Sequence, residues 1–174
     1  PPDTADRPRW APSVSPRLKD GAGLACRLIL GAVLVAAGIP KVSDPVGATQ
    51  SVAAYQLFSY SVAEFIGVTL PIIEIAVGTL LVLGLFTRAA GAIGAGLMIV
   101  FIAGIASAWA RGLAIDCGCF GTGGPVDPSD TAYAQEILRD LALAAAGLWL
   151  VLRPRTLFSL DGLWSKSVPD ERNI

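Results

Sequence analysis

The sequence predicts an all-α, polytopic membrane protein: a bundle of four transmembrane helices with an interfacial helix between helices one and two. Three observations carry that expectation. With 53% hydrophobic and only 16% charged residues, the chain is too apolar for an ordinary soluble domain. Its apolar residues gather into four runs, each long enough at about 1.5 Å per residue to cross roughly 30 Å of hydrocarbon. Most of the connections between runs are short, which favours neighbouring helices in a bundle with both termini on one side. A net charge of -1, without a Lys/Arg cluster interleaved with aromatics, speaks against nucleic-acid binding.

Residues 1–20 carry Pro1, Pro2, Pro8, Pro12 and Pro16 with Arg7, Arg9, Arg17 and Lys19. That composition cannot bury a core and reads as a disordered tail. The membrane domain follows over residues 21–152. Gly21 to Ile39 is its first span, ended by Pro40; without a small-residue cleavage site and a soluble domain after it, it reads as a span rather than a cleaved signal. Ser43-Asp44-Pro45 is a helix-start signal, and the mixed segment through Tyr60 fits an interfacial helix with an aromatic anchor, a loop being the alternative.

Val62 to Leu83, holding Pro71 and Glu74, is the second span, and a turn from Gly84 to Arg88 leads to the third, Ala89 to Ala110. Gly91/Ala95 and Gly104/Ala108 fit small-xxx-small contacts there, either within the bundle or between copies. Tyr133 to Leu152 is the fourth and most polar run, with Gln135, Glu136, Arg139 and Asp140 near its start. Arg153-Pro154-Arg155 stops it, and residues 153–174 form a C-terminal tail whose Leu157, Phe158, Leu160, Leu163 and Trp164 could lie on a surface.

Basic residues set the expected orientation. Arg7, Arg9, Arg17, Lys19, Arg88, Arg153, Arg155 and Lys166 fall on one face, whereas the other offers Lys41 and Arg111 against Asp44, Asp116, Asp127 and Asp130. Both termini are therefore expected in the cytoplasm. The loop between spans three and four then faces outward, where disulfides form and persist.

That loop holds Asp116-Cys117-Gly118-Cys119-Phe120-Gly121, two of the three cysteines of a chain with no histidine. A Cys-Gly-Cys disulfide closes a very small, strained ring, suited to exchange rather than bracing, and Gly118 supplies the backbone freedom for closure. Asp116 opposes thiolate formation, so the sequence alone does not establish a depressed thiol pKa. Two inert thiols are one alternative. A two-thiolate metal site is another, which would need carboxylates or a partner chain to complete it. Cys26, about 20 Å from the outer end of helix one, lies beyond disulfide reach of Cys117 and Cys119 and reads as a buried thiol.

Arg27 and Glu74 each lie about 18 Å below the expected outer ends of their helices, which makes them a candidate ion pair. Arg139 and Asp140 enter at about 9 to 11 Å, between that pair and the cysteines. With Lys41 at the outer end of helix one, these residues form a candidate polar network. It could be a proton path or a cofactor pocket, for instance for a quinone headgroup, or a neutral network that fixes helix register.

Arg27-Leu28-Ile29-Leu30-Gly31, Ala37-Gly38-Ile39-Pro40-Lys41, Leu70-Pro71-Ile72-Ile73-Glu74 and the cysteine hexapeptide together resemble the MauE branch of the DoxX-like membrane proteins. The resemblance runs from about Cys26 to Leu152, and the hexapeptide is its most specific part. It implies a bacterial, four-helix, multi-pass plasma-membrane protein associated with extracytoplasmic thiol redox. The namesake proteins serve methylamine utilisation and are thought to help form the disulfides of methylamine dehydrogenase. Cys117 and Cys119 carry over as the redox site.

The resulting functional expectation is a thiol-disulfide oxidoreductase component that exchanges with a thioredoxin-like or other secreted thiol protein. Quinone-linked disulfide generators relay electrons through a second cysteine pair, which three cysteines cannot supply. Either a quinone meets Cys117 and Cys119 directly or a partner completes the relay. The alternative is a non-catalytic DoxX-like subunit of a larger respiratory or quinol-linked complex, without residues suited to haem. Metal passage along the charged network is a third, weaker reading.

Overall fold

The computed structural model describes residues 16–119 and 123–153. Residues 1–15, residues 120–122 and the C-terminal segment from Pro154, for which tail and loop character are expected, lie outside the described residues. Five α-helices make up most of the rest: α1 (Pro16–Ser43), α2 (Pro45–Ala54), α3 (Tyr60–Leu83), α4 (Thr87–Ala110) and α5 (Tyr133–Leu152). Between α4 and α5 the chain forms a small antiparallel hairpin of β1 (Ile115–Asp116) and β2 (Gly124–Pro125), then a 3-10 turn at Pro128–Asp130.

Several boundaries differ from the sequence expectation. Helix α1 starts at Pro16, inside the expected tail, because proline fits the first turn of a helix, where its missing N–H is not needed. It also runs through Pro40 to Ser43. A proline three residues from a helix end removes one backbone hydrogen bond and no more, and Ser43 Oγ donates to the Ile39 carbonyl at 3.1 Å. Helix α2 begins as expected, with Asp44 accepting from the Gly47 N–H at 3.0 Å and proline in its first turn. It ends at Ala54, where Gln56 turns left-handed at φ 53°, so Tyr60 belongs to α3.

Helices α1, α3 and α4 are long and apolar enough to cross a membrane. Lipid is as apolar as leucine, so such helices associate by close packing rather than by hydrophobic burial. Glycines provide that packing. A Cβ on Gly78 would lie 2.7 Å from the Gly31 carbonyl oxygen, and one on Gly147 would lie 2.8 Å from that of Gly91. Gly38 against Pro71, and Gly91 against Leu150, show that α1 runs antiparallel to α3 and α4 antiparallel to α5. The start of α1 and the end of α5 therefore sit at one end of the bundle, and the β-hairpin at the other. Gly91 and Ala95 are spent on α5, an internal contact rather than one between copies.

Two apolar clusters fill the bundle. Leu30, Leu34, Val77, Leu81, Met98, Leu143 and Leu150 pack toward the terminal end, with Cys26 against them. Ile105, Ala108, Ile115 and Tyr133 pack at the hairpin end, with Tyr55, Leu113 and Cys117 against them. The outer surface is also apolar: Phe65, Ile99 and Leu138 are 70%, 61% and 69% exposed.

Candidate functional site

The hairpin carries the two cysteines at its tip. Asp116 Oδ1 accepts from the Gly118 N–H at 2.9 Å, and Gly118 turns left-handed at φ 65°, a conformation glycine adopts without a Cβ penalty. A Cβ there would also meet Ser51 Cβ at 3.0 Å. Helix α2 clamps the loop from the side. Ser51 Oγ donates between the Gly47 and Gly123 carbonyls (2.8 and 3.0 Å), and one turn later Tyr55 donates to the Cys117 carbonyl at 3.3 Å. The carbonyl of Tyr55 in turn accepts from Arg111, and Tyr133 holds the base of the hairpin by accepting from the Ile115 N–H at 2.9 Å. Sequence reasoning missed Ser51 and assigned the aromatics of this segment to the interface, yet Tyr55 faces the cysteine loop. Their spacing of four residues on one short helix is the only local signal.

Cys117 and Cys119 are half-buried free thiols. Their side chains are hydrogen-bonded to each other, and the Cys119 N–H points to Cys117 Sγ at 3.3 Å. The bond makes the thiols unequal. Cys119 is held below the ordinary thiol pKa, first because it accepts the hydrogen bond from Cys117 and then because the Arg139 guanidinium lies beside it. Cys117 is pushed up by donating that bond and by burial. Asp116, whose Oδ1 accepts from the Gly118 N–H, also keeps a carboxylate oxygen within 4.8 Å of Cys117 Sγ. Of the two, Cys119 is the more readily ionised sulfur and Cys117 the less.

Beneath Cys119 the polar network is assembled, with one change of partner. Glu74, fully buried, is gripped by Lys41 Nζ at 3.0 and 3.1 Å, so the expected Arg27–Glu74 pair is not formed. Side-chain direction explains the exchange. Because Gly38 lies against Pro71 in antiparallel helices, Lys41 is level with about residue 68, some 9 Å above Glu74. Helical side chains lean toward their own N-terminus, so Lys41 leans down and Glu74 leans up, and they meet. Arg27 leans away from Glu74. It is itself buried, on the same stripe of α1 as Leu30, Leu34, Ala37 and Lys41.

On α5, Arg139 Nε donates to Asp140 Oδ1 at 2.9 Å, and Arg139 also bonds the Cys119 side chain. Cys119, Arg139, Asp140 and Glu74 line one void of about 10 Å³, room for roughly a single water. Asp140 is 1% exposed, and its Oδ2 has no hydrogen-bond partner.

Among the described residues, Asp116, Cys117 and Glu136 form a group that could hold a metal, with ligand atoms within 4.8 Å of one another. It includes only one of the two thiols, and that thiol is the less readily ionised one. Zinc sites normally take four ligands and deprotonated sulfur, so this set fits poorly.

Compared with known families, residues 19–153 match the family described as methylamine utilisation protein MauE. The chain belongs to the MauE family. No curated protein and no solved structure matches it. The MauE-like helix-one and helix-two motifs supply the Lys41–Glu74 pair, and Asp116-Cys117-Gly118-Cys119 of the hexapeptide lie at the hairpin.

Proposed function

We propose that this MauE-family chain is a membrane thiol-disulfide redox component acting through Cys117 and Cys119. The observation that carries the reading is the unequal, hydrogen-bonded thiol pair at the hairpin tip, with Arg139 beside Cys119. In the exchange, a thiolate of a secreted thioredoxin-like protein attacks the Cys117–Cys119 disulfide. The better leaving sulfur is the one more stable as a thiolate, so Cys119 leaves and the mixed disulfide forms on Cys117. A second thiolate of the partner then attacks its own sulfur of the mixed disulfide, and Cys117 departs, taking up a proton. The partner is oxidised to a disulfide, and the chain is left with two thiols.

Four spans, with both termini cytoplasmic and the hairpin outside, complete the reading. The charges near its start set α5 apart from the other expected spans, but Asp140 is buried and Arg139 faces the cysteines. Leu138, Leu141, Leu148 and Leu152 are all exposed on a lipid-type stripe, and α5 lies antiparallel on α4. The basic-residue asymmetry supports the orientation, and the family supports a bacterial plasma membrane.

Acid quench and alkylation of cells expressing single-cysteine variants test the proposal. Cys119→Ser should accumulate a mixed disulfide on Cys117, and mass spectrometry of the adduct should name the partner. Cys117→Ser should accumulate little. If neither variant forms an adduct and both function normally, the thiols are structural and the chain is better read as a non-catalytic subunit.

A further inference from the structure

A second, larger cavity of about 440 Å³ lies between α2, α3 and α4, within the size range of small-molecule sites. Cys117 and Cys119 line it, as do Lys41 and the rings of Tyr55 and Phe101. At its rim Leu57, Phe58 and Val100 are 47%, 51% and 64% exposed, within the apolar surface of the bundle. The cavity is therefore open toward lipid. Cys119 and Phe101 border both this cavity and the small polar void, so they form the partition between the two.

We propose that this cavity binds a lipid-soluble para-quinone that oxidises the Cys117–Cys119 pair directly. The inference rests on the thiol-exchange reading and adds the electron acceptor to it. Four features favour a quinone. The opening toward lipid admits an apolar tail. Tyr55 and Phe101 offer aromatic faces to a planar ring. Lys41, whose Nζ lies 5.7 Å from the Phe101 ring centre and on both oxygens of Glu74, lines the cavity and brings a cationic donor to a carbonyl oxygen that gains charge on reduction. Finally, Cys26 packs against the terminal-end cluster, so no second cysteine pair can relay electrons from the hairpin. An oxidant must meet Cys117 and Cys119 themselves.

The chemistry balances without another reactant. The Cys119 thiolate adds to a ring carbon and forms a C–S bond. Cys117 then attacks the Cys119 sulfur; the S–S bond forms, the C–S bond breaks, and its electron pair stays in the ring. The dithiol is oxidised by two electrons and the quinone is reduced to hydroquinone. One of the two protons comes from the Cys117 thiol, and the other is the proton that Cys119 released on ionising.

The test uses the full chain in lipid nanodiscs, with thiols reduced and reductant removed, and a decyl-substituted benzoquinone as probe. One quinone should be reduced per chain, with loss of the two thiols and appearance of a Cys117–Cys119 disulfide in the mass spectrum. Gly104→Leu, whose new side chain starts 3.4 Å from the Tyr55 ring, should raise the quinone concentration that gives half-maximal rate of thiol oxidation at least tenfold. Ser107→Leu fills the same cavity by another route, should Gly104→Leu fail to fold. Wild-type protein that exchanges with oxidised glutathione but reduces no quinone would overturn the inference, leave the exchange reading standing and mark the cavity as a lipid-tail site. Quinone reduction insensitive to both cavity variants would also overturn it. Failure of both exchange and quinone reduction would sink the two readings together.

Discussion

The two ends of the bundle are built on different principles. At the terminal end, Leu30, Leu34, Leu81 and Leu150 interlock with Gly31, Gly91 and Gly94, and the buried Arg27 and Thr87 sit among mainly apolar side chains. At the hairpin end, a smaller apolar cluster is capped by a loop tied down through Ser51, Tyr55, Tyr133 and Arg111. Between them lies a layer of charge, with Lys41, Glu74 and Asp140 buried and Arg139 half-buried. The contrast teaches a division of labour: uniform close packing supplies rigidity, and the irregular end spends it on holding two thiols in unequal states.

Substitutions in the charged layer should have the largest effect. Lys41→Met strands a buried carboxylate and should cost about 3–5 kcal/mol of stability, read as thermal unfolding in detergent. The double variant Lys41→Met/Glu74→Leu should recover most of that loss, since an apolar pair of similar volume is often neutral or better. A double variant as unstable as the single one would show that the two residues do not act as a pair.

Next comes the terminal end, where packing is backbone to backbone. Gly78→Leu meets the Gly31 carbonyl and should cost about 1–3 kcal/mol or more, while leaving the relative reactivity of the two cysteines unchanged. At the hairpin end, Gly118→Ala forces alanine into a left-handed conformation, at a cost of about 1–2 kcal/mol, and should slow disulfide closure measured by thiol titration. Tyr55→Phe removes one hydrogen bond to the Cys117 carbonyl. Its stability cost should be about 1 kcal/mol, with hydrogen exchange in the loop increasing more than in the helices.

The same contrast sets what could be read from sequence. Helix α5 spans the predicted residues, Tyr133–Leu152, because a long apolar run bounded by Pro154 is a local signal. The cysteine pair and the members of the charged layer were also visible as residue types out of place. The pairing within that layer was not, because counting depth along helices treats each side chain as level with its own Cα. Lys41 and Glu74 reach each other across about six residues of rise by leaning in opposite directions. The two-residue strands of the hairpin carry too few residues for any alternation to show, and the ties from Ser51 to Gly123 and from Tyr55 to Cys117 join positions far apart in the chain. The lowered pKa of Cys119 depends first on its hydrogen bond with Cys117 and then on Arg139, twenty residues on.

The unequal thiols can be examined directly by alkylating the reduced protein in nanodiscs across a pH series and resolving Cys117 from Cys119 by mass spectrometry. Cys119 should react first, with a midpoint below that of an ordinary thiol, so its advantage is greatest on the acid side and shrinks as Cys117 ionises at higher pH. Arg139→Gln should move the Cys119 midpoint upward and slow its reaction at neutral pH severalfold, with little change at Cys117. Equal labelling of both thiols, or Cys117 reacting first, would contradict the assignment of Cys119 as the prepared sulfur.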